Sequence, residues 1–334
     1  MTLVLKPLKT LMVGAYLANG CLLGAGFGLA QSNDATITSR PLGPPPASIT
    51  LDVENRNAPE GDVFRVGFLA DVAPGHQRSL YLPFRSHLEA VLSRPVELVP
   101  FRDARGLMMA MQRQDIGYAM APSSVFAATH RLCACVTPLG TQPNRDGSHG
   151  LFSVLLAPES GSIDGLDDVS DARLAIVGEG SVVAHRVGLS ELWRTELQLN
   201  RENFLFTATL QEAADALETG QADAILSWSR QADGSVMFDR EPASTLSDEV
   251  RSNLRIVWRS RPIPGYTHFA HLDLPEPLSE TLQAMLVELT GRNGDAFDAI
   301  DQGSGRGFVV RDLNDYDPLL EAFVYWDGAN QAAN

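Results

Sequence analysis

Cysteine is scarce in this chain, with 3 in 334 residues, and one of them, Cys21, sits in an apolar stretch near the start. The other two, Cys133 and Cys135, lie in RLCACVTPL. Read along a strand they face the same side, where a bridge across one residue would be strained. A metal would need further ligands, and the nearest imidazole is His130. Two readings stay open: a pair of small buried apolar residues, or a labile disulfide in an oxidising compartment. Basic blocks are also missing. Lys and Arg total 26 against 41 Asp and Glu, a formal charge of -15. Such a chain is a poor partner for nucleic acid or anionic lipid, although local dipoles in a pocket can still favour a small anion. After the first thirty residues there is no apolar run long enough to span a bilayer. Gly-x-Ser-x-Gly, His-Glu-x-x-His and paired Cys-x-x-Cys are all absent, and no base–nucleophile pair can be named, so neither catalysis nor a cofactor or metal is expected.

What is present begins with Lys6 and Lys9 ahead of an almost uncharged run, Leu11–Ala30, ending Gly-Leu-Ala. A basic region, an apolar region and a small-x-small end predict a secretory signal peptide over 1–30, and hence a periplasmic mature chain. The competing reading is an uncleaved anchor. Lipidation at Cys21 fits poorly, because the apolar run continues past it. Residues 31–62, with PLGPPPAS, read as a proline-rich linker.

From Val63 the periodicity alternates between strand and helix. The expected strands are Val63–Leu69, Val96–Val99 and Asp115–Ala121; the expected helices are Leu80–Leu92, Ala104–Gln114 and one opening at Pro122-Ser123-Ser124. Leu151–Ala157 and Ile256–Arg259 read as strands crossing between domains. Between them lies a second α/β set: Leu174–Val177, Ala184–Glu196, Asn203–Thr207, Leu210–Thr219 and Ala222–Trp228. The fold class is therefore α/β, two lobes joined by two hinge crossovers with a ligand cleft between them. The first lobe covers 63–155, the second 156–257, and 258–330 returns to the first.

Several blocks resemble the PhnD-like phosphate, phosphite and phosphonate substrate-binding proteins of ABC transporters, a type II periplasmic-binding fold. They are LPFRSHLEAVLSRPVELVP (Leu82–Pro100), DIGYAMAPSSVFAA (Asp115–Ala128), GSHGLFSVLLAPESGSIDGLDDV (Gly147–Val169), TLQEAADALETGQADAIL (Thr209–Leu226), IVWRSRPIPG (Ile256–Gly265) and GFVVRDLNDYDPLLE (Gly307–Glu321). The resemblance implies a monomeric solute-binding protein that captures a small, anionic, phosphonate-like ligand by hinge closure and hands it to ABC permease subunits. A sensor of the same fold with a different ligand is the alternative. It also implies that the ligand motif departs from the family pattern: a run of hydroxyl residues is expected after Ser181, where Val182 and Val183 stand, and a histidine is expected where Leu210 stands.

The stretch Arg173–Gly188, RLAIVGEGSVVAHRVG, carries the central candidate site. A strand, a glycine turn and Ser181 at a helix start expose backbone N–H groups at the positive end of the helix dipole. Ser181 can hold an anion there, or simply cap its helix. Ser123 and Ser124 supply the opposing helix start from the first lobe. Gly180 and Val182 would contribute amides, and Thr207 and Thr209 hydroxyls. The resemblance also implies an aromatic near Ala104 or Ala119 at the ligand; Tyr118 is the adjacent candidate, although on a strand it points to the opposite face from Ala119. His149 either donates to the ligand or is an exposed loop residue, and Asp223 either meets a ligand amine or is a solvated or capping aspartate. Glu179, beside the turn, would repel a dianion.

Overall fold

A computed structural model describes residues 63–70, 78–230 and 246–332, with side chains described as far as Trp326. The expected signal peptide and linker lie outside the described residues. The rest folds around two five-stranded sheets. The first contains β1 (Phe64–Leu69), β2 (Val96–Phe101), β3 (Tyr118–Pro122), β4 (Val136–Thr141) and β10 (Tyr266–His271). The second contains β5 (Phe152–Pro158), β6 (Leu174–Val177), β7 (Phe204–Thr207), β8 (Ala224–Ser229) and β9 (Leu254–Arg259). Their orders are β2-β1-β3-β10-β4 and β7-β6-β8-β5-β9. In each sheet three parallel strands adjoin one antiparallel strand. The chain passes between sheets through residues 142–151 and 260–265. The strand expected to cross, 151–157, is therefore an inner member of the second sheet, hydrogen-bonded to β8 and β9.

Local chemistry explains the helices of the first lobe. In α1 (Leu82–Leu92), proline sits in the first turn, and Phe84 and Leu88, one turn apart, are fully buried. The helix stops at Ser93, whose φ of 51° is left-handed, just before Pro95. In α2 (Ala104–Gln112), the Asp103 carboxylate accepts from the Gly106 N–H at 2.8 Å. The third helix, α3 (Ser123–Cys133), ends on Ala134 at φ 48°.

That ending corrects the reading of the cysteines. Cys133 is the last helical residue and Cys135 lies just beyond the left-handed turn, so the two are not on one strand. The turn sets their Cα atoms 5.0 Å apart, and they form a disulfide.

Each sheet is covered on both faces, because alternate residues of its strands belong to different cores. In the first lobe, Val66, Phe68, Tyr118 and Met120 pack on α1, α7 (Glu276–Arg292) and α8 (Gly294–Ile300). Ala119 and Ala121 face α2, α3 and the start of the last helix. In the second lobe, Leu156, Ala175 and Ile225 pack on Leu210, Ala213 and Ala214 of α5 (Leu210–Glu218). Leu155, Leu174, Ile176 and Leu226 pack on Leu189 and Leu192 of α4 (Gly188–Arg194). A short helix, α6 (Asp248–Ser252), precedes β9.

The last helix, α9 (Asp317–Ala332), lies across both lobes. Leu319 and Ala322 pack into the first-lobe cluster that contains Phe126. Further along, the Trp326 indole donates to the Arg186 carbonyl at 3.0 Å and its ring stands edge-on to His185. Glu321 accepts from Arg194 of the second lobe at 2.9 Å and from Arg261 of the return crossover at 2.6 Å. Arg261 also grips Glu191 of α4, which is 5% exposed, through both guanidinium and backbone N–H donors. Two carboxylates around one guanidinium hold its pKa above the ordinary arginine value, the Glu191 hydrogen bonds being the largest cause.

Candidate ligand cleft

In sheets of this kind ligands meet the carboxyl ends of the parallel strands. Ser123 and Ser124 follow β3, the turn Gly178–Gly180 follows β6, and Thr207 ends β7. The sequence-predicted helix starts are thus both at strand carboxyl ends, one in each lobe.

The turn after β6 needs its glycines: Gly178 and Gly180 have φ of 70° and 81°. Its polar groups, however, largely satisfy one another. The Gly180 N–H donates to Nδ1 of His185 at 2.9 Å, and the Ser181 N–H to the Gly178 carbonyl at 2.8 Å. The Ser181 hydroxyl accepts from the Ala184 N–H at 3.3 Å and caps a π-helical turn, Val182–Val187, that leads into α4. His185 is 8% exposed, wedged between Phe206 and Trp326. Burial, then the nearby Arg186 charge, lowers its pKa, so the imidazole is held neutral with a lone pair on the Gly180 amide. Val182 and Val183 pack against the first-lobe cluster rather than facing an anion. Glu179 is exposed.

The other expected residues divide sharply. The Ser123 N–H donates to the Gly265 carbonyl at 3.1 Å, and the residue is 6% exposed; Ser124 is half-buried. Thr209 caps α5, accepting from the Glu212 N–H at 3.2 Å. His149 is exposed and lines a cavity of about 200 Å³ with Arg261, Pro262, Pro264, Arg311 and Asp315. That cavity lies against the return crossover and the approach to α9.

Two expectations are corrected. Tyr118 is fully buried, on the face of β3 opposite Ala119, and its hydroxyl shares a 2.5 Å hydrogen bond with Nδ1 of His268. It presents no atom to the cleft. Burial raises its pKa well above the ordinary phenol value, and the same burial lowers that of His268 to about 3. Asp223 precedes β8 and pairs with Arg173, which precedes β6, through contacts of 2.9 and 2.6 Å. Both stand at the amino ends of the parallel strands, the edge opposite the helix starts. Hydrogen bonding from Arg173 lowers the Asp223 pKa, and the pair clamps neighbouring strand ends.

Sequence reasoning missed Ser227. It is 1% exposed on β8, and its hydroxyl is buried without a partner, as is that of Thr207. The signal was present in ADAILSW, where Ser227 shares the parity of the core residue Ile225. Among the described residues, no group of three or more His, Cys, Asp or Glu side chains is arranged to hold a metal. No described helix is long and apolar enough to cross a membrane.

The sequence matches the family described as ABC transporter, phosphonate, periplasmic substrate-binding protein over residues 66–316. The chain belongs to this family. Its members are the solute-binding components of periplasmic transport systems, and the fold is the type II binding-protein fold. XAC2383 from Xanthomonas citri is similar in structure in its chloride-bound form, with 15% identity, 81% of this chain and 99% of that chain covered, and a TM-score of 0.56. Its ATP-bound form gives 14% identity, 81% and 98% coverage, and a TM-score of 0.56. PhnD1 from Prochlorococcus marinus in complex with methylphosphonate gives 15% identity, 80% and 98% coverage, and a TM-score of 0.49. By sequence no curated protein matches the chain. The family match and the likeness to XAC2383 agree on the fold, and the self-satisfied turn after β6 is what sets this cleft apart from the pattern its sequence resembles.

Proposed function

We propose that this chain is an exported solute-binding protein that captures a small, oxygen-rich anionic solute between its lobes and delivers it to ABC permease subunits. Family membership carries the reading, and one structural observation supports it most: two doubly covered sheets joined by two crossovers, each with a hydroxyl-bearing strand end or helix start at its carboxyl edge. Closing such lobes over a solute excludes water and strengthens each hydrogen bond to it. Residues 1–30 would direct export, with 31–62 as a tether and the mature chain acting as a monomer. Thermal denaturation against phosphate, methylphosphonate, methanesulfonate, lactate and uncharged controls tests the function. A bound solute at a hundred times its Kd should add about 2.7 kcal/mol of stability. If only uncharged solutes raise Tm, the solute is not an anion.

A further inference from the structure

An arginine with a buried stem normally spends its terminal nitrogens on hydrogen bonds, because a desolvated guanidinium without acceptors is costly. Arg311 departs from that rule. Its side chain is 14% exposed, and its Nε donates at 3.0 Å to the hydroxyl of Thr141, the last residue of β4. Thr141 is itself buried and bridged to Val309, so the guanidinium is fixed where the chain leaves the first sheet. Among the described residues neither terminal nitrogen donates a hydrogen bond. The ion pair Arg311 makes is with Asp315, whose Oδ1 stands 3.6 Å from Nη1. The other oxygen of Asp315 accepts from the Asp312 N–H at 3.1 Å in the turn before α9. Neither terminal nitrogen of Arg311 belongs to the sealed, unpartnered polar atoms of the interior, so solvent reaches both.

Arg311 lines the cavity of about 200 Å³ described above, well beyond the roughly 10–15 Å³ that admits one water. Further donors on its walls come from both crossovers. His149 stands on the outgoing one and hydrogen-bonds nothing among the described residues. Arg261 stands on the return crossover; Glu191 and Glu321 hold its Nε and Nη2, which leaves Nη1 without an acceptor. Pro264, also on the wall, precedes Gly265, whose carbonyl accepts from the Ser123 N–H at the first-lobe helix start. Formal charges around the cavity balance: Arg194, Arg261 and Arg311 are paired with Glu191, Glu321 and Asp315. An entering anion therefore meets free donors without an excess of carboxylates.

We infer that this cavity holds the oxyanion group of the solute, with Nη1 and Nη2 of Arg311 as its grip and His149 and Nη1 of Arg261 as further donors. The inference rests on the solute-binding reading and deepens it: a guanidinium takes the place of the hydroxyl run that the family pattern puts after Ser181. Its planar fork presents paired N–H groups to two oxygens of a carboxylate, sulfonate or phosphonate. Because the walls are the two crossovers and the approach to α9, an anion held there ties together the segments that a hinge motion would bend.

Arg311→Gln removes the charge and the fork, Arg311→Lys keeps the charge alone, and His149→Ala removes an exposed ring with no hydrogen bond to lose. Titrations of wild type and variants with lactate, methanesulfonate, methylphosphonate and phosphate, read by calorimetry beside thermal denaturation of the free proteins, test the inference. For each of the four that the wild type binds, Arg311→Gln should weaken affinity about thirtyfold, Arg311→Lys about tenfold and His149→Ala about threefold. Should Arg311→Gln fail to fold, phenylglyoxal modification of the wild type decides. A saturating solute should protect Arg311 from labelling, while the exposed Arg292 labels at an unchanged rate. Affinity in folded Arg311→Gln within about twofold of wild type, or labelling of Arg311 that solute does not slow, would mean that the guanidinium serves only Thr141 and Asp315. Either result would overturn the inference and leave the function standing. A wild type that binds none of the four would remove both the inference and the anion reading.

Discussion

Acidification should destabilise this protein steeply through one core histidine, His268. It is 1% exposed, bonded to Tyr118, and ringed by Phe84, Tyr118, Tyr266 and Phe308. Burial lowers its pKa to about 3, whereas in the unfolded chain it titrates near 6.5. Between those values the unfolded state binds the extra proton, so stability rises with pH and falls on acidification. The slope is about 1.4 kcal/mol per pH unit within the window, and from pH 7 to pH 5 the loss is about 2 kcal/mol. That is a large part of the roughly 5–15 kcal/mol that holds a typical domain folded. His185, also lowered by burial, and His87 act in the same direction, so the wild-type profile alone does not isolate His268. His268→Asn does: the amide can still hydrogen-bond the Tyr118 hydroxyl but cannot titrate. Urea denaturation at half-unit steps from pH 8 to pH 4.5 is the assay. The variant should be less stable at pH 8 by about 1–3 kcal/mol for lost packing, yet its stability should decline more slowly, the two curves converging by about 2 kcal/mol near pH 5. Parallel curves would refute the reasoning, because they would mean His268 takes up its proton in the folded state.

The α9 strap makes Arg261 a sensitive position. Arg261→Met leaves the buried Glu191 carboxylate only the Arg194 guanidinium, 3.7 Å away, and should cost about 1.5–3 kcal/mol in urea denaturation, whereas Glu321→Gln, at a half-exposed partner, should cost less than about 1 kcal/mol. Ser181→Ala should lower stability by about 0.5–2 kcal/mol as the loss of a helix cap while leaving solute affinity in calorimetry within twofold. A tenfold loss of affinity would return the hydroxyl to the ligand. Replacing Cys133 and Cys135 together by serine should leave solute binding intact, with a shift in Tm as the only effect; lost binding would give the disulfide a functional role.

Much of this fold was legible because it is written in periodicity. Short apolar runs such as FRVGFL and LAIV, and turn-spaced pairs such as Phe84 and Leu88, set strands and helices before any tertiary contact matters. Errors cluster where a tertiary contact decides. Cys133 and Cys135 read as strand neighbours because RLCACVTPL is apolar throughout; only Ala134 at positive φ reveals that a helix ends between them. Asp223 fits an acidic position of the family pattern, but that pattern cannot see that Arg173, fifty positions earlier, waits at the same edge of the sheet with a two-pronged donor.

The turn after β6 shows the same limit at the candidate site. Its glycines, Ser181 and the helix that follows are all local, and local reasoning located the turn correctly. What the turn does depends on His185, five residues on. The π-helical winding of Val182–Val187 and the pressure of Phe206 and Trp326 place its Nδ1 on the Gly180 amide. Two of those three influences come from distant chain. A helix start that looks like an anion cradle in sequence is thereby closed from within by a neutral imidazole.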